Sequence, residues 1–216
     1  MENSQSKLEK TYLTTLTLTV WFALILQFYL HMIRGAAASL ELLIRFFSYF
    51  TIDSNLLIAL CGTFILCFPQ TKIGRFFAAP STKTAITIYI TVVMLIYNVV
   101  LRFLWVLQGW SVVANELLHV IVPLMFLVYW IYFVPKHKLR WSNIWLWLLY
   151  PLLYTVFALI RGSFADFYPY PFLNITKFGI SRVFINCIAI TFLFAFLSAL
   201  FVAIGKRKAK HLNGKI

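Results

Sequence analysis

Residues 46–68 read FFSYFTIDSNLLIALCGTFILCF. As a helix this run is long enough to cross a hydrocarbon core of ~30 Å, which takes ~20 residues. Its opening octet, Ser48–Asn55, carries Ser48, Thr51, Asp53, Ser54 and Asn55 where a lipid-facing surface would carry apolar side chains. Polar groups within a membrane span cost free energy unless they meet partners or water. The octet therefore points into the protein, and its expected partner is a second polar group centred on His119.

The rest of the chain has the same character. It is 62% hydrophobic and 12% charged over 216 residues, whereas a soluble domain is ~45–50% apolar and ~25% charged. Further apolar runs lie at roughly 12–33, 84–107, 115–134, 142–161 and 180–204. Only helices or closed barrels satisfy the backbone in lipid, and the runs lack the short alternating pattern of barrel strands. The expected fold is all-α: a single domain of six transmembrane helices over residues 1–216. The first run is too long for the core of a signal peptide and reads as a retained helix.

Thirteen of the nineteen Lys and Arg residues fall in the N-terminal tail, the second and fourth connections and the C-terminal tail. The positive-inside rule makes that side cytoplasmic, with both termini inside. The net charge of +13 then reflects topology and contact of the basic tail with anionic lipid, not nucleic acid. The expected location is a multi-pass position in a membrane, the cell membrane if the source is bacterial. The remaining basic residues, Arg34, Arg45, Arg102, Arg161, Lys177 and Arg182, lie at outer helix ends or in outer loops, with Glu41, Asp53, Glu116 and Asp166. The outer side is where mixed chemistry sits.

Residues three or four apart share a helix face. Such sets occur at Gln27, His31 and Arg34; at Ser48, Thr51 and Asn55; at Asn98 and Arg102; at Asn115 and His119, with Glu116 beside them; and at Arg182 and Asn186. If these faces converge they form a polar cup opening outward. Thr51 and His119 each lie about five residues into their runs, so their depths would match at under ~10 Å. A lone membrane threonine ordinarily bonds its own helix carbonyl. A membrane histidine is costlier to bury and titrates near neutrality.

Three stretches carry a resemblance. They are Phe50-Thr51-Ile52-Asp53; Asn115-Glu116-Leu117-Leu118-His119 followed by Val122 and Pro123; and Tyr170-Pro171-Phe172-Leu173 before Gly179 and Arg182. Their order and spacing resemble a distant or microbial branch of the androgen-induced, FAR-type family of multi-span membrane hydrolases. The resemblance implies hydrolysis of lipid esters, such as esters of fatty acids with hydroxy fatty acids, with Thr51 as nucleophile, His119 as base and Asn115 in the accompanying position. No cofactor is expected. The acidic or amide residue that the family carries three positions after its threonine is displaced here, to Asp53 two on and Asn55 four on. That departure leaves the role of Asp53 open.

Chemically, a threonine hydroxyl needs a base within hydrogen-bond reach, and the base needs an orienting group. Asn115 or Glu116 could hold the imidazole, and Asn55, Asn186 or an arginine could stabilise an oxyanion. Arg102 and Arg182 are the expected binders of a substrate carboxylate, because Asn98 and Asn186 place them on polar faces. The alternative is a transporter or channel without hydrolase activity, but the polar faces occupy one half of the membrane and not a path across it. His31 and His119 could ligate a haem between them; they are too few for a zinc site. Cys61, Cys67 and Cys187 fall inside apolar runs without metal or disulfide spacing.

Overall fold

Length and apolarity produce the helices expected. In the computed structural model, residues 6–35, 38–104 and 106–213 are described, with side chains as far as Arg207. Lys215 of the basic tail lies outside the described residues, as do the side chains of Lys208 and Lys210. Lys7–Arg34, Phe50–Cys67, Pro80–Leu101, Trp110–Phe133, Asn143–Ala165 and Ile175–Arg207 are each long and apolar enough to cross a membrane. No strand occurs among the described residues. The fold is all-α, the architecture of a multi-pass membrane protein.

The helices are α1 (Lys7–Arg34), α2 (Ser39–Phe46), α3 (Phe50–Cys67), α4 (Lys72–Ala78), α5 (Pro80–Ile96), α6 (Trp110–Glu116), α7 (Val122–Phe133), α8 (Asn143–Ala165) and α9 (Ile175–Asn213). Two wider π-helical turns interrupt them. Tyr97–Leu101 extends α5, and Leu117–Ile121 joins α6 to α7. Such turns are rare and concentrate at functional sites.

Contacts group the chain into two units, residues 1–36 with 51–135 and residues 37–50 with 136–216. In the first, α1 packs on α6 and α7, and α5 packs on α7. Gly62 of α3 sits against Thr17 Oγ1 of α1, where a Cβ would overlap it. The indole N–H of Trp21 donates to Thr63 Oγ1 at 3.0 Å, closing the same helix pair. Near the other end of α1, the buried Tyr129 donates to Glu9 Oε1 at 3.0 Å and accepts from Lys83 Nζ at 3.4 Å, which links α1, α5 and α7. In the second unit α8 packs on α9, and α9 also meets the turn at Lys136–Lys138. Gly179 adopts φ 74° and ψ 159°, a conformation open mainly to glycine. It kinks the start of α9.

The helix boundaries differ from expectation in instructive ways. The run 46–68 is not one helix: α2 ends at Phe46 and α3 begins at Phe50. Ser48 lies in the break, with its hydroxyl donating to the Ile44 carbonyl at 2.7 Å and its carbonyl accepting from Tyr154 Oη at 2.9 Å. The Ser48 backbone carbonyl thus accepts from a side chain and not from a following helical N–H, and with α2 ended at Phe46 Ser48 does not share a helix face with Thr51 and Asn55. The fourth span begins at Trp110, not 115. The third begins at Pro80, where the ring presets φ for a first helical residue.

Candidate active site

Thr51 enters the site because α3 begins one residue before it. It is buried, at 6% exposure. His119 lies in the π-helical turn of the fourth span. Thr51 Oγ1 and His119 Nε2 are 3.3 Å apart. The two residues meet although they do not lie equally far into their helices. His119 is nine residues from the start of its span at Trp110, ~13 Å along the axis, whereas Thr51 is one residue from the start of α3, under ~2 Å along it. Residue count from a helix start does not measure depth when neighbouring helices start at different levels.

The ring's other nitrogen fixes the tautomer. His119 Nδ1 lies 2.9 Å from the Asn115 carbonyl oxygen. A carbonyl only accepts, so Nδ1 carries the proton and donates. In the neutral ring, Nε2 then holds the lone pair that accepts from the Thr51 hydroxyl. The orienting group is thus the backbone of Asn115. Its side-chain amide instead donates to Tyr97 Oη in a short hydrogen bond.

Tyr97 is the residue the sequence reading missed. Its ring stacks on the His119 imidazole with centroids 4.2 Å apart and planes 28° apart. It opens the π-helical turn of the third span, so both π-helical turns supply a ring to this stack. The sequence signal was its place beside Asn98, one turn before Arg102, but an aromatic residue in an apolar run reads as packing.

Glu116 does not reach for the imidazole. Both of its carboxylate oxygens accept from Arg102 Nη2, each at 2.7 Å. The Arg102 guanidinium lies over the Tyr97 ring, 5.1 Å from its centroid. Arg102 is therefore charge-matched within the protein. Asn98 donates to the Met94 carbonyl of its own helix at 2.8 Å. Arg34 donates to Ser111 Oγ in a short bond that ties the end of α1 to α6.

Asn55 is fully buried. Its Nδ2 donates to the Thr51 carbonyl at 2.8 Å and to the Leu118 carbonyl at 3.1 Å. An amide nitrogen has one hydrogen for each of these bonds, so none remains for an oxyanion. The Leu118 bond has a local cause. In the π-helical register Val122 N–H donates to the Leu117 carbonyl. The next donor along would be residue 123, which is proline and has no N–H. Asn55 supplies the missing hydrogen across the helix pair. Its own Oδ1 is buried without a hydrogen-bond partner, as is Ser54 Oγ.

Asp53, partly buried on α3, makes no ion pair among the described residues. Arg182 and Asn186 lie on α9 in the second unit. Arg182 is exposed, and Asn186 donates to the Phe172 carbonyl at 2.8 Å. Among the described residues no group of three His, Cys, Asp or Glu side chains is placed to hold a metal.

The arrangement joins a hydroxyl, a neutral imidazole of fixed tautomer, and a carbonyl that orients it. That set can move a proton from Oγ1 to Nε2. No protein-family model, curated protein or solved structure matches the chain.

Proposed function

We propose that the chain is an integral membrane hydrolase of lipid esters, with Thr51 as nucleophile and His119 as general base. The observation that carries this reading is the 3.3 Å approach of Thr51 Oγ1 to His119 Nε2, with Nδ1 held on the Asn115 carbonyl. The separation is long for a hydrogen bond, as catalytic pairs often are before substrate binds. The resemblance of Phe50–Asp53, Asn115–His119 with Pro123, and Tyr170–Leu173 to the androgen-induced hydrolase family points the same way. It suggests fatty acid esters of hydroxy fatty acids as the substrate class.

In the proposed reaction Nε2 takes the Thr51 proton as Oγ1 attacks the ester carbonyl carbon. The tetrahedral intermediate collapses, and the same proton passes from Nε2 to the departing alkoxide. Thr51 is left acylated. Water then attacks the acyl carbon, giving one proton to Nε2, and that proton returns to Oγ1 as the carboxylic acid leaves with water's other proton and then ionises in solvent. Tyr97 Oη accepts from Asn115 and keeps its own hydrogen to donate, which makes it a candidate for stabilising the oxyanion.

The test is labelling of the full-length protein with a fluorophosphonate probe, alongside turnover of a fatty acid ester of a hydroxy fatty acid. Thr51→Ala and His119→Ala should each lose labelling and turnover, by about 10³-fold or more for the nucleophile. Ser54→Ala removes a buried hydroxyl that has no partner and should keep both. Labelling that survives in Thr51→Ala sinks the nucleophile assignment.

A further inference from the structure

Charge does not balance at the junction of α2 and α8. Glu41 Oε1 accepts from Arg45 Nε at 2.8 Å and from Arg161 Nη2 at 2.6 Å. Both guanidiniums land on the same carboxylate oxygen. One negative charge faces two positive ones, so the cluster keeps a net positive charge. Arg102 and Glu116, matched one to one, do not. Asp166, at the end of α8, makes no ion pair with either arginine among the described residues.

The geometry holds the two cations in place. Asp166 adopts a left-handed conformation with φ 48°, which short polar residues tolerate. It turns the chain so that Phe167 lies against both guanidiniums. Arg45 Cζ is 4.8 Å and Arg161 Cζ 5.6 Å from the ring centroid. Tyr49 meets the same ring edge-on at 6.0 Å. The Arg161 side chain is only 14% exposed, and its Nε is buried without a hydrogen-bond partner. A guanidinium has donors only, so what would complete this one is an acceptor, and the excess positive charge of the cluster favours an acceptor that carries negative charge.

The surroundings of the cluster suit a lipid interface. α2 exposes Leu40, Leu43 and Ile44, and Phe47 just after it is exposed too, beside the charged pair Glu41 and Arg45. That is the pattern of a helix lying in the headgroup region. We propose that Arg45 and Arg161 form an oxyanion site that takes the phosphate or carboxylate headgroup of an anionic lipid. Planar guanidinium forks suit either group. The site does not depend on the hydrolase reading.

The test uses the full-length protein in phosphatidylcholine nanodiscs. Retention of added phosphatidic acid or of oleate is measured by native mass spectrometry, with inorganic phosphate in solution as a third arm. Wild type should retain an anionic lipid over phosphatidylcholine, and Arg161→Gln and Arg45→Gln should each weaken that retention. Glu41→Gln is the decisive variant. It removes the competing carboxylate, so retention should tighten by about fivefold, the upper range for a partly exposed charge pair. A purely structural ion cluster would gain nothing from Glu41→Gln. Preference for phosphatidic acid, for oleate, or displacement by inorganic phosphate tells which oxyanion source fits best; each supports the site. No preference over phosphatidylcholine, or unchanged or weaker retention in Glu41→Gln, overturns it.

Discussion

The Asn55 amide on α3 donates to the Leu118 carbonyl 3.1 Å away, the carbonyl for which Pro123 can offer no hydrogen. One side chain thus completes the backbone of a neighbouring helix at the turn that carries His119. The cause is a register shift. A π-helical turn followed by proline strands an acceptor, and a stranded acceptor in a membrane must find a donor.

Asn55→Leu should therefore destabilise the protein by about 1–2 kcal/mol, the cost of a buried carbonyl left unpaired. Pro123→Ala restores an N–H and should shrink that loss when the two are combined. A double-mutant cycle on unfolding in mixed detergent micelles measures the coupling. Additive effects would show that Pro123 does not create the need for Asn55.

Tyr97 packs its ring on His119 and takes the Asn115 amide on its hydroxyl. Of these, the ring contact restrains the imidazole directly. Tyr97→Leu should slow fluorophosphonate labelling by about tenfold, which corresponds to ~1.4 kcal/mol of positioning. Tyr97→Phe keeps the ring and should restore most of the rate if stacking is what matters. A Phe variant as slow as Leu would place the effect on the hydroxyl instead.

The six spans were legible because apolar length is a property of composition. His119 was legible as a costly exception in an apolar helix, whereas Thr51, ordinary as a lone membrane threonine, was picked out only by the resemblance carried by its stretch. Three things were not. The break at Ser48–Tyr49 depends on the Ser48 hydroxyl reaching Ile44 and on Tyr154 from a distant helix taking the Ser48 carbonyl. The π-helical turns shift register without changing residue types, so spacing rules of three and four cannot see them. The partner of Arg102 was also hidden: Glu116 lies fourteen residues on, across a connection whose geometry no periodicity fixes.

That ion pair yields a discriminating prediction. Arg102 and Glu116 are 37% and 33% exposed at their side chains, so the pair stabilises by at most about 1 kcal/mol. If Arg102 only pairs with Glu116, Arg102→Gln should affect acidic and neutral fatty esters alike. If it also holds a substrate carboxylate, KM should rise for the acidic ester alone, with kcat little changed. Comparing the two esters in wild type and Arg102→Gln decides between these, and Glu116→Gln, which frees the guanidinium, should lower KM for the acidic ester only in the second case.

The Glu41 cluster gives a pH signature. The hydrogen bonds from Arg161 and then Arg45 hold the Glu41 carboxyl below its ordinary value of 4.5, against a smaller opposing effect of desolvation. A carboxyl whose value is lower in the folded state contributes stability that is fully present above its unfolded value. That contribution is lost as pH falls through the lower folded value. The nearby Tyr49 hydroxyl titrates above its ordinary range because of burial. The unfolding-temperature difference between wild type and Glu41→Gln should thus be constant from about pH 7 to about pH 5 and close progressively below about pH 4. A difference that persists unchanged into stronger acid would mean that Glu41 acts through packing and not through its charge. Because the carboxylate competes with the proposed oxyanion ligand for the same two guanidiniums, acidification over that window should also strengthen retention of a phosphate headgroup in wild type and leave Glu41→Gln unaffected.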